Sequence, residues 1–397
     1  MDLIYFDNAA TTSIYPEVIE AMHDTLQEDF GNPSSVHAAG RAAKATVESA
    51  RKHIAKQMGV LPKEIIFTSG GTEGDNTVLQ AAFHQLGIRH FISSPIEHHA
   101  VLHTIEHMAK QGHIHLDLVK VLPSGLPDMD DLKRLLSSSD EKKMVSLMHV
   151  NNEVGTIVDL EAVGNLCHQH NALFHTDSVQ SIGHFPLDFG SLPVDFAVAS
   201  AHKFHGPKGV GFSYIKKDTG LSGMILGGSQ ERGMRAGTEA VHNIVGMETA
   251  FQVSYQRMEA DALYLKDLKT YCLDQLQAAL PGTIFNGASG DIENSTYTIV
   301  NARLPMDEKK AQLLAFNLDL KGVCCSKGSA CQSGSEGGSH VLQNLLPAEQ
   351  NKAPSLRFSF SAHNTKKEID KLIAILFDYA KSESLALIVV WNTRGDR

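Results

Sequence analysis

The spacing of hydrophobic and polar positions alternates between two periods along the first half of the chain. Apolar residues three or four apart predict amphipathic helices, and short apolar runs bounded by glycine or polar residues predict buried strands. The helices are predicted at residues 17–29, 38–58, 72–86, 100–111 and 160–170, and the strands at residues 64–68, 90–93, 143–149, 173–176 and 195–200. This alternation is typical of a doubly wound α/β protein with a largely parallel sheet.

The second half of the chain departs from this alternation. Residues 209–215 predict a strand that returns antiparallel, and a long helix at residues 243–279 is predicted to lead into a second, smaller domain. The remaining predictions are strands at residues 296–300 and 355–360 and helices that begin at residues 308 and 365. Residues 324–340 form a glycine- and serine-rich connection, and connections of this length are usually functional or disordered.

Composition and charge narrow the class of protein. A chain of 397 residues exceeds what one hydrophobic core usually serves, so two domains are expected. No apolar run approaches the roughly 20 residues that span a bilayer, and the first residues lack a secretory signal, so we expect a cytoplasmic protein. The net charge of −10 disfavours a general nucleic-acid or membrane binder.

The five cysteines do not suggest a disulfide framework. They are too few and too irregularly spaced for one, and we expect reduced thiols. Their positions are Cys167, Cys272, Cys324, Cys325 and Cys331. Three of the five therefore lie within the connection at residues 324–340.

Lys203 is the first candidate for chemistry. It comes directly after the apolar strand at residues 195–200 and before a Gly-Pro-Lys-Gly turn, so the strand end would deliver its amine into a cleft. Burial or a neighbouring cation lowers the pKa of such an amine, which can then form a Schiff base with an aldehyde such as pyridoxal phosphate (PLP). A solvated surface lysine is the alternative interpretation.

Residues 68–76 form a glycine-rich turn that leaves one strand and enters a helix. Backbone N–H groups at such a point, here around Gly71, bind anions such as phosphate, and the Thr72 hydroxyl can add a further donor. A simple helix N-cap is the alternative.

Further polar residues follow other strand ends. Asp177 can pair with a protonated pyridine nitrogen, although a helix N-cap is the alternative role. The ring of His98 can stack on a planar cofactor, although a capping or surface histidine is more usual. Gln180 and Asn152 can donate hydrogen bonds to a ring hydroxyl oxygen.

Ser200 and His202 flank Lys203 and supply more donors toward a phosphate. The order of all these residues matters more than any one of them. A phosphate turn, an aromatic ring, an amide, a carboxylate and a lysine occur at successive strand ends. Ligands of open α/β sheets bind beyond the carboxyl ends of the strands, so these side chains are expected to meet in one cleft.

At this point the chain resembles a known family, the PLP-dependent cysteine desulfurases of the NifS/IscS type in the class V aminotransferase group. The resemblance extends over nearly the whole chain. Its motifs lie at residues 5–12, 30–35, 68–76, 149–155, 200–209, 231–238 and 328–331. The resemblance implies the PLP-dependent transferase fold type I. It also implies a large domain at residues 15–256, with a mostly parallel seven-stranded sheet, and a small α+β domain formed by residues 1–14 and 257–397.

The same resemblance assigns roles to the candidate residues. It implies that Lys203 carries PLP as an internal aldimine. The other implied roles are Asp177 on the pyridine nitrogen, His98 stacked on the ring, Asn152 and Gln180 at the ring oxygen, Gly71, Thr72, Ser200 and His202 around the phosphate, and Arg357 with Asn152 at the substrate carboxylate. Thr238 is similar to the residue that reaches the phosphate of the partner subunit, which implies a homodimer.

Cys331 receives its role from the resemblance as well. In this family a cysteine in a mobile loop, here about residues 323–340, attacks the sulfur of PLP-bound L-cysteine. The attack leaves L-alanine and an enzyme persulfide, which passes to an acceptor protein such as an iron–sulfur scaffold or a tRNA-thiolation relay. A thiolate is required for that attack, and His98 is a candidate base.

Other interpretations remain at this stage. Cys324 and Cys325 stand where the family usually has small or hydroxyl residues. They could serve here as small core residues or as a second persulfide site. The enzyme could instead be a selenocysteine lyase or another class V lyase or aminotransferase. A metal-binding or scaffold protein that uses Cys324, Cys325 and Cys331 is disfavoured, because no second cysteine pair follows.

Overall fold

The central sheet is the largest element of the fold. A computed structural model describes residues 3–327 and 338–382. The strands are β1 Ile4–Tyr5, β2 Ile65–Thr68, β3 His90–Ser93, β4 His115–Leu118, β5 Lys143–Ser146, β6 Leu173–Asp177, β7 Phe196–Ser200, β8 Gly211–Ile215, β9 Ile284–Phe285, β10 Ile299–Arg303, β11 Val323–Cys324 and β12 Ser355–Ser359. Within the described residues, seven strands form this sheet in the order β2-β8-β7-β6-β5-β3-β4, and β8 alone runs antiparallel to its neighbours. The predicted mostly parallel seven-stranded sheet is confirmed.

Helices cover the sheet and connect its strands. They are α1 Pro16–Glu28, α2 Ala38–Gln57, α3 Gly71–His84, α4 His99–Lys110, α5 Met129–Leu136, α6 Leu160–Gln169, α7 Val241–Ala279, α8 Glu308–Leu320, α9 His340–Leu345 and α10 Lys366–Lys381. Their starts follow from local chemistry. Asp128, Asp159 and Thr365 accept backbone N–H groups as N-caps, and Pro16 occupies the first turn of α1.

The hydrophobic residues form separate cores. Strands β2, β3, β5, β7 and β8 are buried throughout, as expected when helices cover both faces of a sheet. A second core packs the N-terminal Ile4 and Phe6 against Leu268 of α7, Phe358 of β12 and Leu372 of α10. The N-terminal segment therefore packs with the C-terminal part of the chain. The boundaries between the two proposed domains stay a prediction.

The structure contains several elements that were not predicted, among them the short strands β1, β9 and β11 and the helix α9. β4 and α5 were also not predicted, although Leu116 and Leu118 of β4 alternate with polar residues, as in a half-exposed strand at the edge of a sheet. The strand predicted at 296–300 instead begins at Ile299, because the Thr296 hydroxyl bonds Thr298 and its amide bonds Gly155. No helix among the described residues is long and apolar enough to cross a membrane.

Candidate active site

A cavity of about 460 Å³ opens at the carboxyl edge of the central sheet. This volume lies in the usual range for small-molecule sites. The predicted residues that line it are Gly71, Thr72, His98, Asn152, Asp177, Gln180, Ser200, His202, Lys203 and Arg357. The fold therefore brings together residues at the ends of five strands of the central sheet, β2, β3, β5, β6 and β7, with Arg357 from within β12.

Lys203 lies in a single 3₁₀ turn that follows β7. The turn is fixed because the Ala201 amide donates to the carbonyl of Val210. The Lys203 Nζ donates to the carbonyl oxygens of Ala9 at 2.6 Å and Ala10 at 2.9 Å. These contacts aim the amine at the cavity from one side.

Asp177 ends β6 and faces the same cavity. Burial raises the pKa of its carboxyl to about 6, against the opposing effects of the Val179 amide, which donates to Oδ1 at 2.9 Å, and of the nearby Lys203. A buried carboxylate is stabilised by a cation placed beside it. The position therefore suits a protonated ring nitrogen.

The glycine-rich turn forms an anion site at the start of α3. Gly70 precedes the helix with φ of 144°, a conformation that side chains rarely adopt, and a Cβ on Gly71 would lie 2.8 Å from Val179 Cγ2. Glu73 in this first turn would repel a phosphate, but it is paired with Arg235 at 2.9 Å, and the guanidinium offsets the charge of its carboxylate. Sequence reasoning missed this pair because its members are 162 positions apart.

The imidazole rings in the site are neutral. Burial, followed by the charge of Lys203, lowers the pKa of both His98 and His202 to about 4. His98 Nδ1 accepts from the Ala100 amide at 3.1 Å, so the ring proton is on Nε2. In this conformation His98 offers a flat ring and a donor to the cavity, and it would act as a base only after it releases Ala100.

Arg357 lies in β12 and is almost completely buried, with 1% of its surface exposed. Its two terminal nitrogens donate to the Asn152 carbonyl at 2.9 Å and to Asp7 Oδ1 at 2.8 Å, and Nε has no partner among the described residues. Asp7 was not predicted. The guanidinium is thus held rigidly at the cavity wall. Gln180 is held similarly, with Nε2 donating to the Ala9 carbonyl at 2.9 Å.

Cys331 lies outside the described residues, but the chain on either side of it is anchored beside the cavity. Ser326 bonds Asp7 Oδ1 at 2.9 Å and exchanges backbone hydrogen bonds with Arg357. On the other side, His340 Nε2 lies 2.9 Å from the Glu97 carbonyl, next to His98. Both anchors contact residues that line the cavity or adjoin it.

Cys324 and Cys325 are poor nucleophiles. Burial raises the pKa of Cys325 to about 12, and burial followed by the charge of Asp319 raises that of Cys324. Both thiols are therefore protonated near neutral pH, which disfavours the hypothesis of a second persulfide site.

Thr238 does not line the cavity and is exposed. The turn before it is held by a buried ion pair, in which Glu231 accepts from both terminal nitrogens of Arg51 at 2.6 and 2.8 Å. Sequence reasoning also missed Asp75, a buried carboxyl that lines the cavity from α3. Burial, together with Asp177 and Glu97, raises its pKa well above the usual range, so it holds a proton behind Asp177.

These residues fit PLP, since an anion cradle, a buried carboxyl and an amine face one another across the cavity. Comparisons with known proteins agree. The sequence model described as aminotransferase class-V matches residues 4–372. The chain is 39% identical to the cysteine desulfurase IscS of Dictyoglomus turgidum over 94% of this chain and 93% of the relative. Among solved structures, a NifS-like protein has a TM-score of 0.86 at 33% identity and covers 95% of this chain and 99% of its own. A structure described as SspA in complex with cysteine has a TM-score of 0.75 at 28% identity and covers 91% of this chain and 100% of its own.

Proposed function

The chain belongs to the class V aminotransferase family, which is PLP-dependent, and on that basis we propose that it is a cysteine desulfurase. It would convert L-cysteine to L-alanine and leave a persulfide on Cys331. One observation carries the proposal: Lys203, Asp177, His98 and Arg357 line the same cavity, beside both anchors of the segment that carries Cys331.

The cofactor would be held by residues that already have suitable partners. Lys203 would bind the aldehyde through its amine, Asp177 would face the ring nitrogen, and the neutral ring of His98 would stack on the cofactor. Gly71, Thr72, Ser200 and His202 would hold the phosphate, and Gln180 and Asn152 the ring oxygen. Bound PLP supplies an electron sink for the carbon atoms of the substrate.

Arg357 would bind the carboxylate of L-cysteine together with Asn152. A guanidinium held in one orientation can donate two parallel hydrogen bonds to a carboxylate, and its contacts with Asp7 and the Asn152 carbonyl supply that orientation. Binding at this point places the rest of the substrate toward Lys203. We assign proton transfer at the substrate carbon to Lys203.

Cys331 would act on the sulfur of the substrate. Its thiolate forms a sulfur–sulfur bond, the carbon–sulfur bond breaks, and its electron pair stays on the carbon, which takes up a proton to give alanine. Cys331 comes five positions after Ser326, and such a span reaches at most about 18 Å. The anchor of Ser326 beside Arg357 therefore keeps this thiol within reach of the substrate.

The wider setting is also part of the proposal. An exposed Thr238 on a turn fixed by Arg51 and Glu231 supports a homodimer in which this residue reaches the phosphate of the partner subunit. The persulfide would then pass in the cytoplasm to an acceptor protein of iron–sulfur assembly or tRNA thiolation.

The test is to incubate the PLP-loaded protein with L-cysteine and to measure alanine together with the modified residue by mass spectrometry. We expect equimolar alanine and persulfide, with the extra sulfur on Cys331. Cys331→Ser should abolish the persulfide yet keep the visible absorbance of PLP, and the double variant Cys324→Ser, Cys325→Ser should behave as the wild type. Sulfur on Cys324 or Cys325, or no alanine, would contradict the proposal.

A further inference from the structure

Two histidines and one aspartate cluster at the amino-terminal edge of the central sheet, opposite the cavity. His90 is the first residue of β3 and His115 the first residue of β4, and the two are direct partners in the register of these parallel strands. Asp117 follows two positions after His115, so both side chains lie on the same face of the sheet. The three residues therefore converge from two adjacent strands.

Their donor atoms have the spacing of a metal site. Asp117 Oδ2 lies 2.8 Å from His90 Nε2 and 3.2 Å from His115 Nε2, and the three atoms all lie within 4.8 Å of one another. A tetrahedral zinc ion has bonds of about 2.0–2.2 Å to such atoms, which places neighbouring donors about 3.3–3.6 Å apart. A small widening of the cluster is enough to admit the ion.

The surroundings permit a bound cation that keeps one water. His90 is 3% exposed, whereas Asp117 is 27% and His115 is 64% exposed, so the cluster is open to solvent on one side. Lys143 is the register partner of His90 on β5, and its ammonium donates to the carbonyls of Ser139 and Glu141. This nearby charge is thus already engaged by backbone oxygens.

We propose that His90, His115 and Asp117 bind a zinc ion, with water as the fourth ligand. Two imidazoles and one carboxylate suit zinc at this geometry. The ion would fasten β4, a short edge strand, to the buried β3. Its place at the opposite end of the strands separates this site from the chemistry of the PLP cavity.

The test is equilibrium dialysis of the PLP-loaded protein against zinc, followed by metal analysis. His115→Ala changes an exposed ligand and Asp117→Asn a half-buried one, and His113→Ala, an exposed histidine two positions from His115, is the matched control. We expect the wild type and the control to bind one more zinc ion than the two ligand variants, whose affinity should fall at least about 100-fold. Zinc should raise the midpoint temperature of thermal unfolding only in the wild type and the control.

The comparison between variants separates this site from zinc bound by cysteines, which all four proteins share. Equal zinc binding by the wild type and both ligand variants would overturn the proposal. Binding that needs about millimolar zinc would also overturn it, since a dissociation constant of about 1 mM is that of a loose surface contact. The PLP absorbance of each variant verifies that the fold is intact.

Discussion

Lys203 at the cavity and Lys269 in the second core have similar immediate partners but different surroundings. Lys269 on α7 is 0% exposed and donates to Ser295 Oγ at 2.6 Å and to the Thr296 carbonyl at 2.8 Å. Lys203 likewise donates to two oxygens, the carbonyls of Ala9 and Ala10, but it faces the cavity and the carboxyl of Asp177. Burial lowers the pKa of Lys269 to about 7, yet Lys269 does not line the active-site cavity.

The difference teaches that a buried amine with a lowered pKa does not by itself mark an active site. Structural networks perturb pKa values as well, so a perturbed group indicates function only together with a cleft and a matching charge. Lys203 has both. Lys269 instead links α7 to the segment before β10 through its bonds to Ser295 and Thr296.

Replacement of each lysine is the strongest test of this contrast. Lys203→Ala should lose the visible absorbance of bound PLP and lower alanine formation by at least about 10⁴-fold, because one residue both binds the cofactor and transfers the proton. Lys269→Met keeps a similar volume and should retain the absorbance and the activity. Normal turnover in Lys203→Ala, or loss of PLP in Lys269→Met, would reverse the assignment.

Asp177→Asn tests whether the charge opposite Lys203 matters beyond burial. The amide has nearly the same shape but cannot stabilise a protonated ring nitrogen, so we expect turnover to fall by about 10²–10³-fold while PLP stays bound. Steady-state alanine production and the PLP spectrum measure the two effects separately. Unchanged turnover would reduce Asp177 to stabilising the turn after β6, where its carboxylate accepts from the Val179 amide and turns follow instead of a helix.

Arg357 connects the cavity with the second core, since it belongs to β12 of the three-stranded sheet β12-β10-β9 and also lines the cavity. Arg357→Lys should lower kcat/KM for L-cysteine by about 10- to 100-fold, mainly through KM, because an ammonium cannot replace the forked donor. Arg303→Lys is the matched control. Arg303 lies on the neighbouring strand β10 and bonds Gln350, away from the cavity. Equal effects of the two substitutions would indicate a general loss of stability.

The sequence was informative wherever a functional residue follows a buried strand. Lys203 and Asp177 could be predicted because the strand periodicity places their side chains at one edge of the sheet. Asp7 could not be predicted, since its importance comes from a contact with Arg357 that is 350 positions away. The burial of Lys269 could not be predicted either. A lysine within a long helix is normally solvated, and only the packing of the second core buries this one.

The pH dependence of the free energy of unfolding tests Lys269 in the second core alone. The folded pKa of Lys269, about 7, lies below its unfolded value near 10.4, so between these pH values the unfolded chain binds more protons. Stability therefore rises with pH across this window, and the contribution of Lys269 from pH 7 to 8 is about 1 kcal/mol. Denaturant unfolding at the two pH values should show this gain in the wild type and not in Lys269→Met. Because other groups titrate identically in both proteins, equal pH dependence would mean that Lys269 stays charged within the core.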